Sequence, residues 1–343
     1  MIPVLTEPGF ANTYWCSLYM QGIGEEARRR GGKAQAVSFE ELGPGPVIVL
    51  GSSPGWIRSC LDYLASRNIP SVAAGAPPGD RYCSFSAPDY EDAAARFLNM
   101  CAAAQPQGRA LFAFNPDSAA DQIKKTAFAG LCPEGAVIKN SGGLLASCQA
   151  FLRNIAQYGA VLCTNDVAAM VLVRLLRARK EEAPLIFAYG DQRLPPEESI
   201  GIFLLDFVQA GRQAVQLYRE VEKENNPGRR ILWVPCPPEV PFALPGTPEE
   251  AQQNAPSPSG EFYQDPQVHE MFRFKKLLAR CDGLDIDILR ELGAGSRYFD
   301  MAERLHTTEN TIKYRLKRMM TLAGAQSRDE LLQMALEGLG MRG

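Results

Sequence analysis

Short apolar runs alternate with helix-patterned stretches from Ile2 to Val234, and that alternation excludes most folds. The expected strands are Ile2–Leu5, Ala34–Val37, Val47–Leu50, Ser71–Ala73, Ala110–Phe114, Ala136–Ile138, Ala160–Cys163, Leu185–Ala188 and Gly201–Leu204. Between them lie expected helices at Tyr14–Arg30, Asp89–Ala104, Ala119–Leu131, Leu144–Gln157 and Val167–Arg179, with Val208–Glu224 after the last. Strand, helix, strand in succession builds a parallel sheet with helices on both faces. A chain of 343 residues has room for two or three domains. The front part holds enough strands for two sheets, one ending near Gln105 and the other starting near Arg109. The expectation is an α/β protein of two lobes with a cleft between them.

A second feature cuts the chain. Residues 235–260, PCPPEVPFALPGTPEEAQQNAPSPSG, are crowded with proline and cannot hold a helix or a central strand for long. The expected boundaries are therefore 1–234 for the two-lobed unit and 235–260 for a linker. A helical connector or dimer helix over 261–283 and a small all-α unit over 284–343 complete the chain.

That last unit centres on DMAERLHTTENTIKYRLKRMMTL, Asp300 to Leu322. It has the pattern of a helix, a tight turn and a second helix. With Ile312 as origin and about 100° per residue, Leu316 and Met319 fall within about 40° of it and form a narrow apolar seam. The opposite side carries Asn310, Tyr314, Lys317 and Arg318, with Lys313 on its flank. Lys313, Arg315, Lys317 and Arg318 lie within six residues with no acid among them. Such a face suits the major groove of DNA. Thr308 is placed to cap the second helix. The first helix is expected to bury Phe299, Ala302 and Leu305. A short helix over Ile286–Leu292 precedes it, and Ser327-Arg-Asp-Glu330 is a capping box for another over Leu331–Leu339.

The run from Ile288 to Leu336 resembles the LuxR-type helix-turn-helix domain of bacterial transcription regulators, through its AERL helix, its T-I-K helix and its S-R-D-E-L-L helix. The resemblance implies that Lys313, Tyr314 and Lys317 read bases and that Thr308, Arg315 and Arg318 lie near phosphates. His306 stands at a turn position often held by glycine in that family. The first 234 residues resemble the sugar-binding sensor of lactose-repressor-type regulators, itself similar to periplasmic binding proteins. The matching stretches include Ile2–Val37, SFSAPDYEDAAARFL, YGAVLCTNDVAAMVLVRLLR and QAGRQAVQLYREVEKENNPGRRILWVP, the last as final helix and strand. The reading head of that family precedes the sensor, whereas here it follows it and is of another type. Carried over, the cleft residues are Asn12, Thr13 and Tyr14 after the first strand, and Ser52, Ser53 and Trp56 after the third. Asp89, Lys124, Asn165 and Asp191 follow. Strand C-termini bind ligands in open α/β sheets on physical grounds as well. Lys124 replaces the family's arginine, and Gly190 falls where the family carries a ligand-binding aspartate. Asp89 and Asn165 each precede a helix, so a capping role is open to both.

Other classes find little support. No G-x-G-x-x-G follows a strand, and there is no P-loop and no G-x-S-x-G elbow. Two histidines and scattered cysteines make neither a catalytic triad nor a metal site, and no cofactor is expected. A receiver domain would need about half the front length and paired aspartates. The nine cysteines mostly sit beside apolar residues, as small buried hydrophobes in a reducing cytosol do. The net charge of −3 confines any DNA-binding surface to a local basic face. No leader pattern opens the chain and no apolar run approaches roughly 18 residues, so a cytoplasmic protein off the membrane is expected. The expected function is a ligand-responsive, DNA-binding regulator acting as a homodimer, with double-stranded DNA and a small-molecule effector as partners. The alternative is a cytosolic solute-binding or enzymatic α/β protein whose helical tail serves protein contacts.

Overall fold

The computed structural model describes residues 1–11, 13–75, 83–104, 106–179, 184–190, 200–223, 229–237, 273–274, 277–278 and 280–338. Two parallel sheets organise it. The first contains β1 (Ile2–Thr6), β2 (Ala34–Ala36), β3 (Val47–Leu50), β4 (Ser71–Ala74), β5 (Ser84–Pro88) and β11 (Ile231–Val234), in the order β11-β5-β4-β3-β1-β2. The second contains β6 (Arg109–Phe114), β7 (Ala136–Lys139), β8 (Ala160–Cys163), β9 (Leu185–Gly190) and β10 (Gly201–Leu204), in the order β10-β9-β8-β6-β7. Central strands such as β3 and β8 are apolar and buried at every position, because helices cover both faces. The expected α/β class with two parallel sheets is what forms.

Seven helices serve the sheets: α1 (Tyr14–Arg29), α2 (Pro54–Ser66), α3 (Tyr90–Ala104), α4 (Ala119–Leu131), α5 (Leu144–Leu152), α6 (Asp166–Arg179) and α7 (Phe207–Lys223). The sequence pattern had placed no helix at α2. Its opening GSSPGW reads as a loop, yet Pro54 suits the first turn, and Ile57, Cys60, Leu61 and Leu64 form a buried stripe. Strand β5 was also unforeseen, since SFSAP is small and partly polar, although every residue in it is buried.

The lobe boundary differs from the expected one near Gln105. The first sheet is interrupted after Pro88, and α3 packs on the second sheet instead. Phe97 lies 6.3 Å from Phe128 and 5.5 Å from Phe187, ring centre to ring centre. The chain returns after β10. Helix α7 lies on α1 so closely that a Cβ on Gly22 would strike the Val208 carbonyl, and one on Gly211 would strike that of Tyr19. Strand β11 then completes the first sheet beside β5. The second lobe is thus one stretch of chain inserted into the first. At the junction the Asp89 amide donates to the Val234 carbonyl at 2.7 Å, and the Arg96 guanidinium donates to the carbonyls of Cys236 and Pro237.

The C-terminal unit is all-α: α8 (Gly283–Gly293), α9 (Tyr298–Arg304), α10 (Glu309–Ala323) and α11 (Arg328–Gly338). Helix α8 starts earlier than expected, because Asp282 and Asp285 cap each other's amides in a capping box. Phe299 is 65% exposed, contrary to expectation, and Met301 and Ala302 are buried in its place. Phe299 sits in the first turn of a helix only seven residues long, two positions off the buried pair's face. Of the 235–260 linker, residues 238–260 lie outside the described residues. In the connector, Phe274, Leu277, Leu278 and Cys281 are buried. Arg273 binds the carbonyls of Ala323 and Gly324, both at 2.9 Å, and Glu330 at 2.7 Å, which ties it to the C-terminal unit. All nine cysteines are unpaired and buried. Burial, with the Glu7 carboxylate nearby, pushes the Cys16 thiol up to about 12, far from a reactive thiolate. Among the described residues no helix is long and apolar enough to cross a membrane.

Candidate functional site

A cavity of about 170 Å³ opens where the C-terminal ends of both sheets meet. From the first lobe it is lined by Thr13, Tyr14, Trp15 and Tyr19 of the α1 entry, by Gly51 and Ser52 after β3, and by Gly75 after β4. The second lobe contributes Ala113 and Asn115 from β6, Asp121 and Lys124 from α4, and Thr164 and Asn165 after β8. Tyr90, Tyr189 and Phe207 close it near the junction. The lobes touch directly beside it, where the Ala119 amide donates to the Ser52 carbonyl at 2.8 Å.

The loop after β3 is held by a carboxylate. Glu7, buried just beyond β1, accepts the Ser52 and Ser53 amides at 2.8 and 3.0 Å. These are the amides a bound anion would otherwise seek at the start of α2. Trp56 stands against the backbone of Gly51, so closely that a Cβ there would meet its ring.

Lys124 is buried, and its ammonium donates to Asp121 at 2.9 Å and to the Thr164 carbonyl at 2.7 Å. It also lies 5.4 Å from the Tyr90 ring centre and 5.2 Å from that of Tyr189. Those rings donate electron density from their faces. Burial holds the Tyr189 hydroxyl in its protonated form, with a pKa well above the ordinary tyrosine value, and it donates to the Tyr90 carbonyl at 3.1 Å. Ala113 has φ 64°, a left-handed conformation that costs a non-glycine residue about 1–2 kcal/mol. The β6–β7 register shifts there, and the Thr164 hydroxyl holds the Ala113 carbonyl at 2.8 Å. Such strain persists where its surroundings enforce it.

Of the residues marked from sequence, Thr13, Tyr14, Ser52, Lys124 and Asn165 line the cavity. Asn165 also caps α6 by accepting the Ala168 amide at 2.8 Å, so both roles considered for it coexist. Ser53, Trp56 and Asp89 are not in the lining. Asp89 caps α3, accepting the amides of Glu91 and Asp92, and sits at the lobe junction. Asn12 and Asp191 lie outside the described residues. The sequence reading passed over Trp15, Tyr19, Tyr90 and Tyr189. Tyr19 follows Trp15 by one helical turn, a spacing that reads as ordinary core.

The second candidate surface is α10. Ile312, Leu316 and Met319 form the buried seam expected of them. Thr308 caps the helix, accepting the Thr311 amide at 3.2 Å, and His306 takes φ 49° in the preceding turn. Asn310, Tyr314 and Lys317 face solvent, Tyr314 being 70% exposed. Lys313 is half-exposed and pairs with Glu309 at 3.0 Å. Arg315 and Arg318 are committed elsewhere. Arg315 binds Asp282 at 2.7 Å and Asp285 at 2.9 Å, and Arg318 binds Asp285 at 2.5 Å. Asp285 is fully buried. These two arginines fasten α10 to the start of α8.

No protein-family model matches the chain, and no curated protein does. Solved structures show the fold of the sensor part. A transcriptional regulator CelR–cellobiose complex is 15% identical with a TM-score of 0.58, over 70% of this chain and 82% of its own. GanP, a glucose-galactose binding protein from Geobacillus stearothermophilus, is 15% identical at TM-score 0.55, over 68% and 94%. A LacI-family regulator, CCPA from Weissella paramesenteroides with bound sucrose, is 14% identical at 0.55, over 68% and 95%. The fold is therefore that of lactose-repressor-type and periplasmic-binding-protein-like sensors.

Proposed function

We propose that this chain is a ligand-responsive, DNA-binding transcriptional regulator, with its effector held between the lobes and its DNA read by a LuxR-type helix-turn-helix unit. One observation carries the reading: a cavity built from the strand ends of both lobes shares a chain with a helix-turn-helix unit whose Asn310, Tyr314 and Lys317 face solvent. The named regulators among the fold neighbours, two of them with sugars bound, support it. Ligand held between lobes favours the closed form, and a dimer would turn that motion into a change in spacing between two DNA-reading units. Asn12, Asp89 and Asp191 remain proposed participants, Asp89 through the lobe junction. Such a protein works in the cytoplasm, where DNA is. The solute-binding alternative is favoured by one neighbour, the glucose-galactose binding protein.

Salt-dependent DNA binding separates the two readings. Duplex titration at two salt concentrations should show binding that weakens steeply with salt. Lys317→Ala should cost roughly 1–3 kcal/mol and blur base preference. A parent protein that ignores DNA at both concentrations leaves the solute-binding reading.

A further inference from the structure

We propose, resting on the reading of the cavity as the effector site, that it takes a compact, uncharged ring compound anchored by the Tyr19 hydroxyl and turns away phosphorylated and carboxylated ones.

Size comes first. At about 170 Å³ the cavity lies below the roughly 300–1,000 Å³ of most small-molecule sites. Its walls are rings. Trp15 lies 6.1 Å from Phe10 and 6.1 Å from Tyr19, and Tyr19 lies 5.4 Å from Phe207. Aromatic walls suit the apolar face of another ring.

The groups that would receive an anion are already occupied. At the start of α2 the Ser52 and Ser53 amides are held by Glu7. Before α4, the Asn115 amide is held by Asp121 at 3.0 Å, and the Asp121 amide by Ser118 at 3.3 Å. At α6 the Ala168 amide is held by Asn165. Among the described lining residues Lys124 is the one cation, and Asp121 and the Thr164 carbonyl hold it. A phosphate entering would shed water without gaining a matching charge.

Tyr19 supplies the polar anchor. It is fully buried, lines the cavity, and its hydroxyl has no hydrogen-bond partner among the described residues. The neighbouring Gly75 amide is already given to the Ser86 carbonyl at 3.1 Å. A buried hydroxyl left open on a cavity calls for a partner from the ligand. The first turn of α1, which no side chain caps, offers amides to a carbonyl or hydroxyl oxygen of the same molecule.

The test uses the full chain, its Tyr19→Phe and Lys124→Met variants, and two matched pairs: uracil with orotate, and glucose with glucose 6-phosphate. Thermal shift and tryptophan fluorescence are read up to about 10 mM. One uncharged member should raise Tm, and its anionic partner should bind at least about tenfold more weakly. Whichever pair responds tells a flat heterocycle from a sugar. Tyr19→Phe should keep the unliganded Tm, since its hydroxyl has no bond to lose, and weaken the ligand by about tenfold. An anionic member that binds as well as its uncharged partner, with Tyr19→Phe still weakening it, overturns the ligand class and leaves the site. An uncharged ligand indifferent to both Tyr19→Phe and Lys124→Met overturns the site as well. Silence from all four compounds overturns the proposal.

Discussion

Asp285 carries two arginines of α10 on one buried carboxylate, so its loss strands both guanidinium groups. Breaking such a pair on one side costs about 3–5 kcal/mol. Asp285→Asn should therefore lower the denaturation midpoint of the C-terminal unit, and Arg318→Ala should behave the same way with no DNA present. Urea melts followed by circular dichroism check both. An Arg318→Ala protein as stable as the parent would return Arg318 to the phosphate role that the sequence assigned. A second residue makes a pH prediction. Hydrogen bonding from Arg29, aided by Arg30, holds the buried Glu26 carboxyl down to about 2, against an ordinary 4.5. The folded pKa lies below the unfolded one, so the stabilisation is full above 4.5 and fades as pH falls toward 2. Glu26→Gln should thus be destabilising at pH 7 and less so near pH 3, by a small amount because Arg29 is mostly exposed. Residue roles were legible where they are local. The Thr308 cap and the Ile312, Leu316 and Met319 seam follow from spacing alone. Glu7, Tyr19 and Tyr189 were not, because their partners lie tens of residues away and only the fold brings them together.

Elements were read best where apolar period and caps agreed, as in α1, α4 and α10. They were misread where a loop-like opening hid a helix, as at Pro54, or where small polar residues form a buried strand, as in β5. Phe299 shows a different failure: hydrophobicity alone assigned it inward, whereas its position on a seven-residue helix turns it out. The connector gives the clearest prediction at this scale. Arg273 caps carbonyls at the end of α10, and Phe274, Leu277, Leu278 and Cys281 are buried. A fragment starting at residue 262 should fold as a unit, and one starting at 284 should melt markedly earlier or not fold. Arg273→Ala in the full chain should cost about 1 kcal/mol and speed amide exchange in the last turn of α10. Equal melting of the two fragments would show that the connector contributes nothing to this unit.

Across the whole molecule, cleavage within Pro245–Gly260 should release a front fragment of 234 residues or slightly more that stays folded and keeps its ligand response. Limited proteolysis with mass spectrometry checks this, and preferred cutting inside α3 would contradict it. The two-sheet plan was legible because parallel strands leave a repeating signature in sequence. The division between the lobes was not, because which sheet a helix covers depends on contacts such as Phe97 with Phe187. That division has a consequence for synthesis. The second lobe, α3 through β10, is a single run ending at Leu204. The first lobe lacks α7, which seats on α1 through Gly22 and Gly211, and its edge strand β11 until Val234 has been made. A nascent chain therefore holds β1 to β5 as an unfinished, uncovered sheet while the lobe encoded later completes itself. At roughly 5–20 residues per second that interval lasts several seconds or more, during which the front strands are exposed to chaperones or to their neighbours on a polysome. The lobe that begins first is the lobe that finishes last.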